Sequence, residues 1–125
     1  MIKYLSLISL VVCASVNAER LNSEAYYQAI AAAKYDAQTE VVMPDGTRCD
    51  IVTDTHSIEV DFADKWGEAI GQSLNYSFQS NRRAGILLIL EKQSDERYLL
   101  RVQSIIKHFQ LPMDVLAIRA WEPDA

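Results

Sequence analysis

The chain has 125 residues, 50% of them hydrophobic and 23% charged, which is enough apolar material for one core and too much for a disordered tail. Its 12 basic and 17 acidic residues give a formal net charge of -5. That excludes a smooth basic surface gripping nucleic acid by counterion release alone, so phosphate-directed chemistry would need a local basic patch or a metal ion.

The first 18 residues read as a secretory leader. Lys3 is a short positive region, Tyr4 to Val16 an apolar one, and Val16-Asn17-Ala18 places small or modest residues where a signal peptidase cuts, before Glu19. The apolar run is short for a bilayer span and no second one follows. The expectation is therefore a periplasmic or secreted protein with no membrane attachment after cleavage. Cys13 raises a lipoprotein anchor as an alternative, but Val12 before it fits a lipobox poorly. Cleavage removes Lys3 and Cys13. It leaves a mature net charge of -6 and Cys49 as the only cysteine, so a disulfide within the mature chain is excluded and Cys49 reads as a packed strand residue.

Residues 19–125 are expected to form a single domain, with no repeats and no linker long enough to divide it. Ser23 caps a predicted helix running to about Gln38, with Tyr27, Ile30 and Lys34 along one side. Glu40 to Met43 reads as a strand, Pro44-Asp45-Gly46-Thr47 as a turn and Arg48 to Thr53 as a second strand, together a hairpin. A third strand spans about Ser57 to Phe62, with Ile58, Val60 and Phe62 alternating with Glu59 and Asp61. Asp64 is expected to cap a helix to about Gln79, with Trp66, Ile70, Leu74 and Phe78 on its apolar arc. Asn81 to Gly85 breaks the pattern. Ile86 to Leu90 is a continuous apolar run, as in a parallel strand buried on both faces. A third helix over Asp95 to Phe109 and a strand over Val115 to Trp121 complete the chain. The order α-β-β-β-α-β-α-β predicts an α/β fold: a mixed central sheet with a hairpin at one side, extended by crossover units, and helices on both faces.

Three acids attract attention within that layout. Asp50 lies inside the second strand, Glu59 inside the adjacent third, and Glu40 opens the first. Neighbouring strands are only about 5 Å apart, so the right register gathers the three at one place. Single acids on strands usually face water, but two adjacent strands each placing one mid-run, beside Cys49, Ile51, Ile58 and Val60, are less easily explained by solvation. Oxygen-only clusters suit Mg²⁺ or Mn²⁺, which take one or two carboxylates, waters and phosphate oxygens. Such an ion acidifies a bound water and offsets charge building on a phosphate.

Glu40, Pro44 to Ile51, and Ile58-Glu59-Val60-Asp61 together resemble the PD-(D/E)xK, or restriction-endonuclease-like, nuclease superfamily. The likeness covers about residues 23 to 91. It implies an α-β-β-β-α-β core with the last helix and strand as additions, phosphodiester hydrolysis with nucleic acid, DNA above all, as partner, and a Mg²⁺ or Mn²⁺ cofactor. By resemblance Asp50 and Glu59 are the metal-binding acids, and Glu40 matches an acid supplied from or just after the first helix. Gln72-Ser73-Leu74-Asn75-Tyr76 is similar to the Q-x-x-x-Y element of the RecB-like branch, making Gln72 and Tyr76 candidate substrate contacts. A homodimer is compatible with the class.

One departure stands out: Asp61 occupies the position of the family's E-x-K lysine. Lys65 is the candidate stand-in for catalysis, since at about 100° per residue it shares a helical stripe with Gln72 and Tyr76. Arg48 shares strand parity with Asp50, a placement suited to balancing the carboxylates or touching a phosphate. His56 has a weaker claim as a proton carrier, and Arg82, Arg83, Arg97 and Arg101 as backbone contacts. Trp66 and Trp121 are expected in the core. The competing readings are a catalytically silent binding or interaction module, favoured by the missing lysine, and a small-ligand binding protein, which would show an apolar pocket.

Overall fold

The computed structural model describes residues 19–122; the expected leader and the last three residues lie outside them. Ser23 caps α1 (Glu24–Tyr35), its side chain accepting from Tyr26 N–H. The helix stops three residues before the expected end because Asp36 turns left-handed and its N–H closes on the Ala32 and Ala33 carbonyls, freeing Gln38 for the sheet. The hairpin pairs β1 (Gln38–Val42) with β2 (Arg48–Val52), and Gly46, at φ +85, makes the turn. Next come β3 (His56–Phe62), a 3-10 turn (Ala63–Lys65) and α2 (Trp66–Ser80). Then β4 (Arg83–Leu90), α3 (Glu96–Phe109) and β5 (Met113–Arg119) complete the fold.

The five strands lie in chain order, β2 antiparallel to β1 and β3, and β4 parallel to β3 and β5. Alternation along the strands splits the core into two layers. Ile58, Val60, Phe62, Leu87 and Ile89 pack with Tyr27 and Ala31 of α1, while Ile86, Leu88 and Leu90 pack with Ala69 of α2 and with Leu99 and Val102 of α3. The predicted two-sided burial of β4 is observed, as is the mixed sheet flanked by helices.

Several local expectations are corrected. The buried stripe of α1 is Tyr27, Gln28 and Ala31, and Lys34 is exposed. Asp64 caps no helix; its carboxylate takes Arg20 instead, at 2.8 Å. Helix α2 buries Ala69, Ser73 and Tyr76, and Phe78 is 88% exposed, because steps of four residues drift about 40° each until the arc leaves the sheet. Arg83 to Gly85 already belong to β4, and the last strand begins at Met113, leaving Trp121 exposed beyond its end.

The segment before α1 is fastened beside the 3-10 turn. Arg20 lies 3.8 Å above the Phe62 ring, and Glu91 Oε2 accepts from Leu21 N–H, Asn22 N–H and Tyr27 hydroxyl. The end of β3 and the turn carrying Lys65 are thereby held against α1.

Candidate functional site

The sheet opens where the acids of adjacent strands meet. Strands β2 and β3 pair at Ile51↔Ile58 and Val52↔Ser57, and beyond Ile51 the ladder stops. There Val60 N–H donates to Asp50 Oδ2 at 2.8 Å, a side chain taking a ladder donor and turning its carboxylate into the seam. On the other side of β2, Thr39↔Ile51 and Val41↔Cys49 pair while Glu40 and Asp50 between them do not.

Glu40 sits at φ +52. Asp36, Asn81 and Gln110 share that conformation as helix ends, where it is ordinary, but inside a strand a non-glycine residue so placed stores about 1–3 kcal/mol. The Glu40 carboxylate is held by Gln28 Nε2 at 2.9 Å. Glu40→Ala and Glu40→Gly both lose that bond, and only glycine relieves the backbone. The glycine variant is therefore expected to be the more stable of the two by about 1 kcal/mol in chemical denaturation; the opposite order would mean that the position is unstrained.

Glu59 projects to the opposite side from Ile58 and Val60 and is buried, and its Oε2 has no hydrogen-bond partner. Burial first, then the negative charge of Asp50, pushes its carboxyl up to about 9. Burial raises Asp50 as well, offset in part by the hydrogen bond from Val60 N–H. At neutral pH Glu59 therefore keeps its proton.

Two more carboxyls surround the pair. Asp61 is buried and raised to about 6 by burial, against which the charge of Lys65 works. Glu24, in the first turn of α1, is raised to about 7 by burial and then by Asp61 and Asp50, again opposed by Lys65. Lys65, exposed on the 3-10 turn after β3, thus supplies positive charge on the side of the cluster where the expected strand lysine is missing. Tyr76 is buried next to the pair, burial and then Glu59 and Asp50 pushing its phenol up. Cys49 is fully buried and free, its thiol raised to about 11 chiefly by burial, as a packing residue would be.

The structure thus brings together Glu40, Asp50, Glu59 and Tyr76, with Lys65 on the side of Asp61 and Glu24. Gln72 is exposed with no side-chain hydrogen bond among the described residues, and its neighbours Asn75 and Gln79 instead bind Asp45 of the hairpin turn. Arg48 is exposed and in no ion pair among the described residues. His56, at the far end of β3 from Asp61, is bound through Nε2 to Asp114 and through Nδ1 to Thr55, both at 2.7 Å. Arg83 is committed to the same Asp114 by two bonds, while Arg97 stacks on Tyr98 and Arg101 on Trp66. Beside His56 an open hollow of about 390 Å³ is lined by Tyr35, Ile58 and Leu116.

No group of three or more His, Cys, Asp or Glu side chains among the described residues forms a ready metal cage. A hard cation that keeps most of its waters needs only one or two carboxylates. Asp50 and Glu59, with one buried carboxylate oxygen unpartnered, match that donor set.

Sequence reading missed Glu24 and Gln28. Both lie on α1 at i and i+4, one turn apart, and a polar residue next to Tyr27 on the buried stripe was the available signal. Comparison with protein-family models, with curated proteins and with solved structures finds no match.

Proposed function

We propose that this protein is a metal-dependent nuclease that hydrolyses phosphodiester bonds, with DNA as substrate, exported from the cell as the leader implies. The observation that carries the reading is the carboxyl pair of half-buried Asp50 and buried Glu59 at the opening of β2 and β3, with an unpartnered Glu59 oxygen and Lys65 acting on the adjacent Asp61. The order of elements and the acid in each of two adjacent strands also agree with the restriction-endonuclease-like resemblance.

Asp50 and Glu59 would hold Mg²⁺ or Mn²⁺, which when bound supplies charge neutralisation at the phosphate and a more acidic water. Lys65 steadies the negative charge on the phosphoryl oxygens as the water oxygen bonds to phosphorus and the leaving oxygen departs. Glu24, with its carboxyl near 7, is suited to take the water's proton. Tyr76 packs against Glu59 and keeps that side of the pair dry. Arg48 is free to meet the nucleic-acid backbone.

The test is cleavage of linear DNA, supercoiled DNA and RNA by the mature chain with Mg²⁺ or Mn²⁺, and then with chelator. Cutting is expected only with metal, lost in Asp50→Ala and reduced about 100-fold in Lys65→Ala. A second reading, a catalytically silent module built on the same frame, is favoured by one observation: the buried Asp61 where the resemblance calls for lysine. Nucleic-acid binding by a folded chain that cuts nothing with either metal would establish that second reading. Sedimentation of the same preparation decides between monomer and homodimer.

A further inference from the structure

We propose that Gln28 is the positioning residue of this site, its side-chain amide holding the Glu40 carboxylate and the Asp50 backbone in the arrangement that hydrolysis requires. The inference rests on the nuclease reading above. Gln28 is 8% exposed, on the α1 stripe that otherwise buries Tyr27 and Ala31. Its Nε2 donates to Glu40 Oε1 at 2.9 Å and to the Asp50 carbonyl at 3.2 Å. The two hydrogens of one amide thus reach two strands at the single level where the β1–β2 pairing is skipped.

An amide at a core-facing position costs desolvation that an apolar residue would avoid unless its donors are satisfied, as both are here. The type of donor also matters. Lysine or arginine there would cancel the negative charge that a cation needs, and a carboxylate would add a further acid to Glu24, Glu40 and Asp50. A neutral amide holds the Glu40 carboxylate and the Asp50 backbone while leaving the charge of both acids in place. Because α1 also carries Glu24, one helix sets the spacing of acids drawn from β1, β2 and itself.

The experiment uses the mature chain with Gln28→Met, similar in length but without the donors, and Gln28→Glu, similar in shape. The measurements are Mn²⁺ binding by electron paramagnetic resonance, kcat and KM for DNA cleavage, and the same kinetics in a Glu40→Ala background. The expected result is retained folding and a kcat lowered about 10- to 100-fold with KM little changed. Little further loss is expected when Gln28→Met is added to Glu40→Ala, since the two act as a unit. Equal losses in both backgrounds, or wild-type kcat in Gln28→Met, would overturn the proposal. Failure of both variants to fold would likewise reassign Gln28 to the fold. If the wild-type chain neither binds Mn²⁺ nor cuts DNA, the nuclease reading itself fails, a result distinct from active wild type with an indifferent Gln28.

Discussion

Glu59→Gln is expected to move stability and activity in opposite directions, raising the melting temperature of the metal-free protein by about 5 °C or more near pH 8 and lowering metal-dependent cleavage on the order of 10³-fold. In the folded chain Glu59 holds its proton up to about 9, against an ordinary value of 4.5. Between those values the folded state binds more protons than the unfolded one, so this carboxyl's stabilising contribution is complete at acid pH and is lost as pH rises. Asp61 and Glu24, raised to about 6 and about 7, add slopes of the same sign. Glutamine keeps the shape and neutrality of the protonated acid at every pH but cannot ligate a hard cation as a carboxylate does. Thermal melts near pH 5 and pH 8 without metal, beside cleavage assays, check both halves. A wild-type melting temperature that is flat across this range and equal to the variant's would remove the buried proton from the account.

Affinity for Mn²⁺ or Mg²⁺ is expected to rise about tenfold per pH unit from about 6 toward 9, because Glu59 must lose its proton to become a ligand. Calorimetric titration in two buffers of different ionisation enthalpy should report release of close to one proton per metal bound below pH 9. The metal should also raise the melting temperature most at alkaline pH, where the empty pair costs the fold most, and chelator should return it to the metal-free value. Binding independent of pH with no proton released would mean that the cation enters through Asp50 alone. In Glu59→Gln the pH slope should flatten and the affinity fall to that of a single carboxylate.

Much of the scaffold was legible because local periodicity reflects local physics. The alternation of Ile58, Val60 and Phe62 with Glu59 and Asp61 named both the strand and its two faces, and the unbroken Ile86 to Leu90 named a strand covered on both sides. Boundaries moved where a cap or a distant partner intervened. The left-handed Asp36 ended α1 early, and Asp64, a plausible cap by type, was drawn to Arg20, forty-four residues away in sequence. Phe78 left the apolar arc because a four-residue step does not close on a 3.6-residue turn.

Within the candidate site, residue type and strand parity singled out Asp50 and Glu59, and spacing singled out Lys65. Gln72 and Tyr76 form one motif in the sequence but separate in the fold, Tyr76 buried beside Glu59 and Gln72 left in solvent. Their spacing of four residues leaves them about 40° apart on α2, enough to put one on the buried face and the other past its rim. His56 and Arg83 could not be assigned from sequence because their partner, Asp114, comes from β5, two strands from His56 and next to Arg83 only once the sheet has formed.

By itself the sequence determined the kinds and order of elements, one acid in each of two adjacent strands, and the absence of a lysine at position 61, all properties of residue type and short-range repeat. Only the tertiary structure decided that β2 and β3 part beyond Ile51, that Glu59 keeps a proton, and that α1 brings Glu24 and Gln28 to the same place. The division has a physical reason: periodicity is imposed within a few residues along the chain, whereas hydrogen-bond register, burial and the coupling of buried charges depend on groups that meet only when the sheet and its helices have packed.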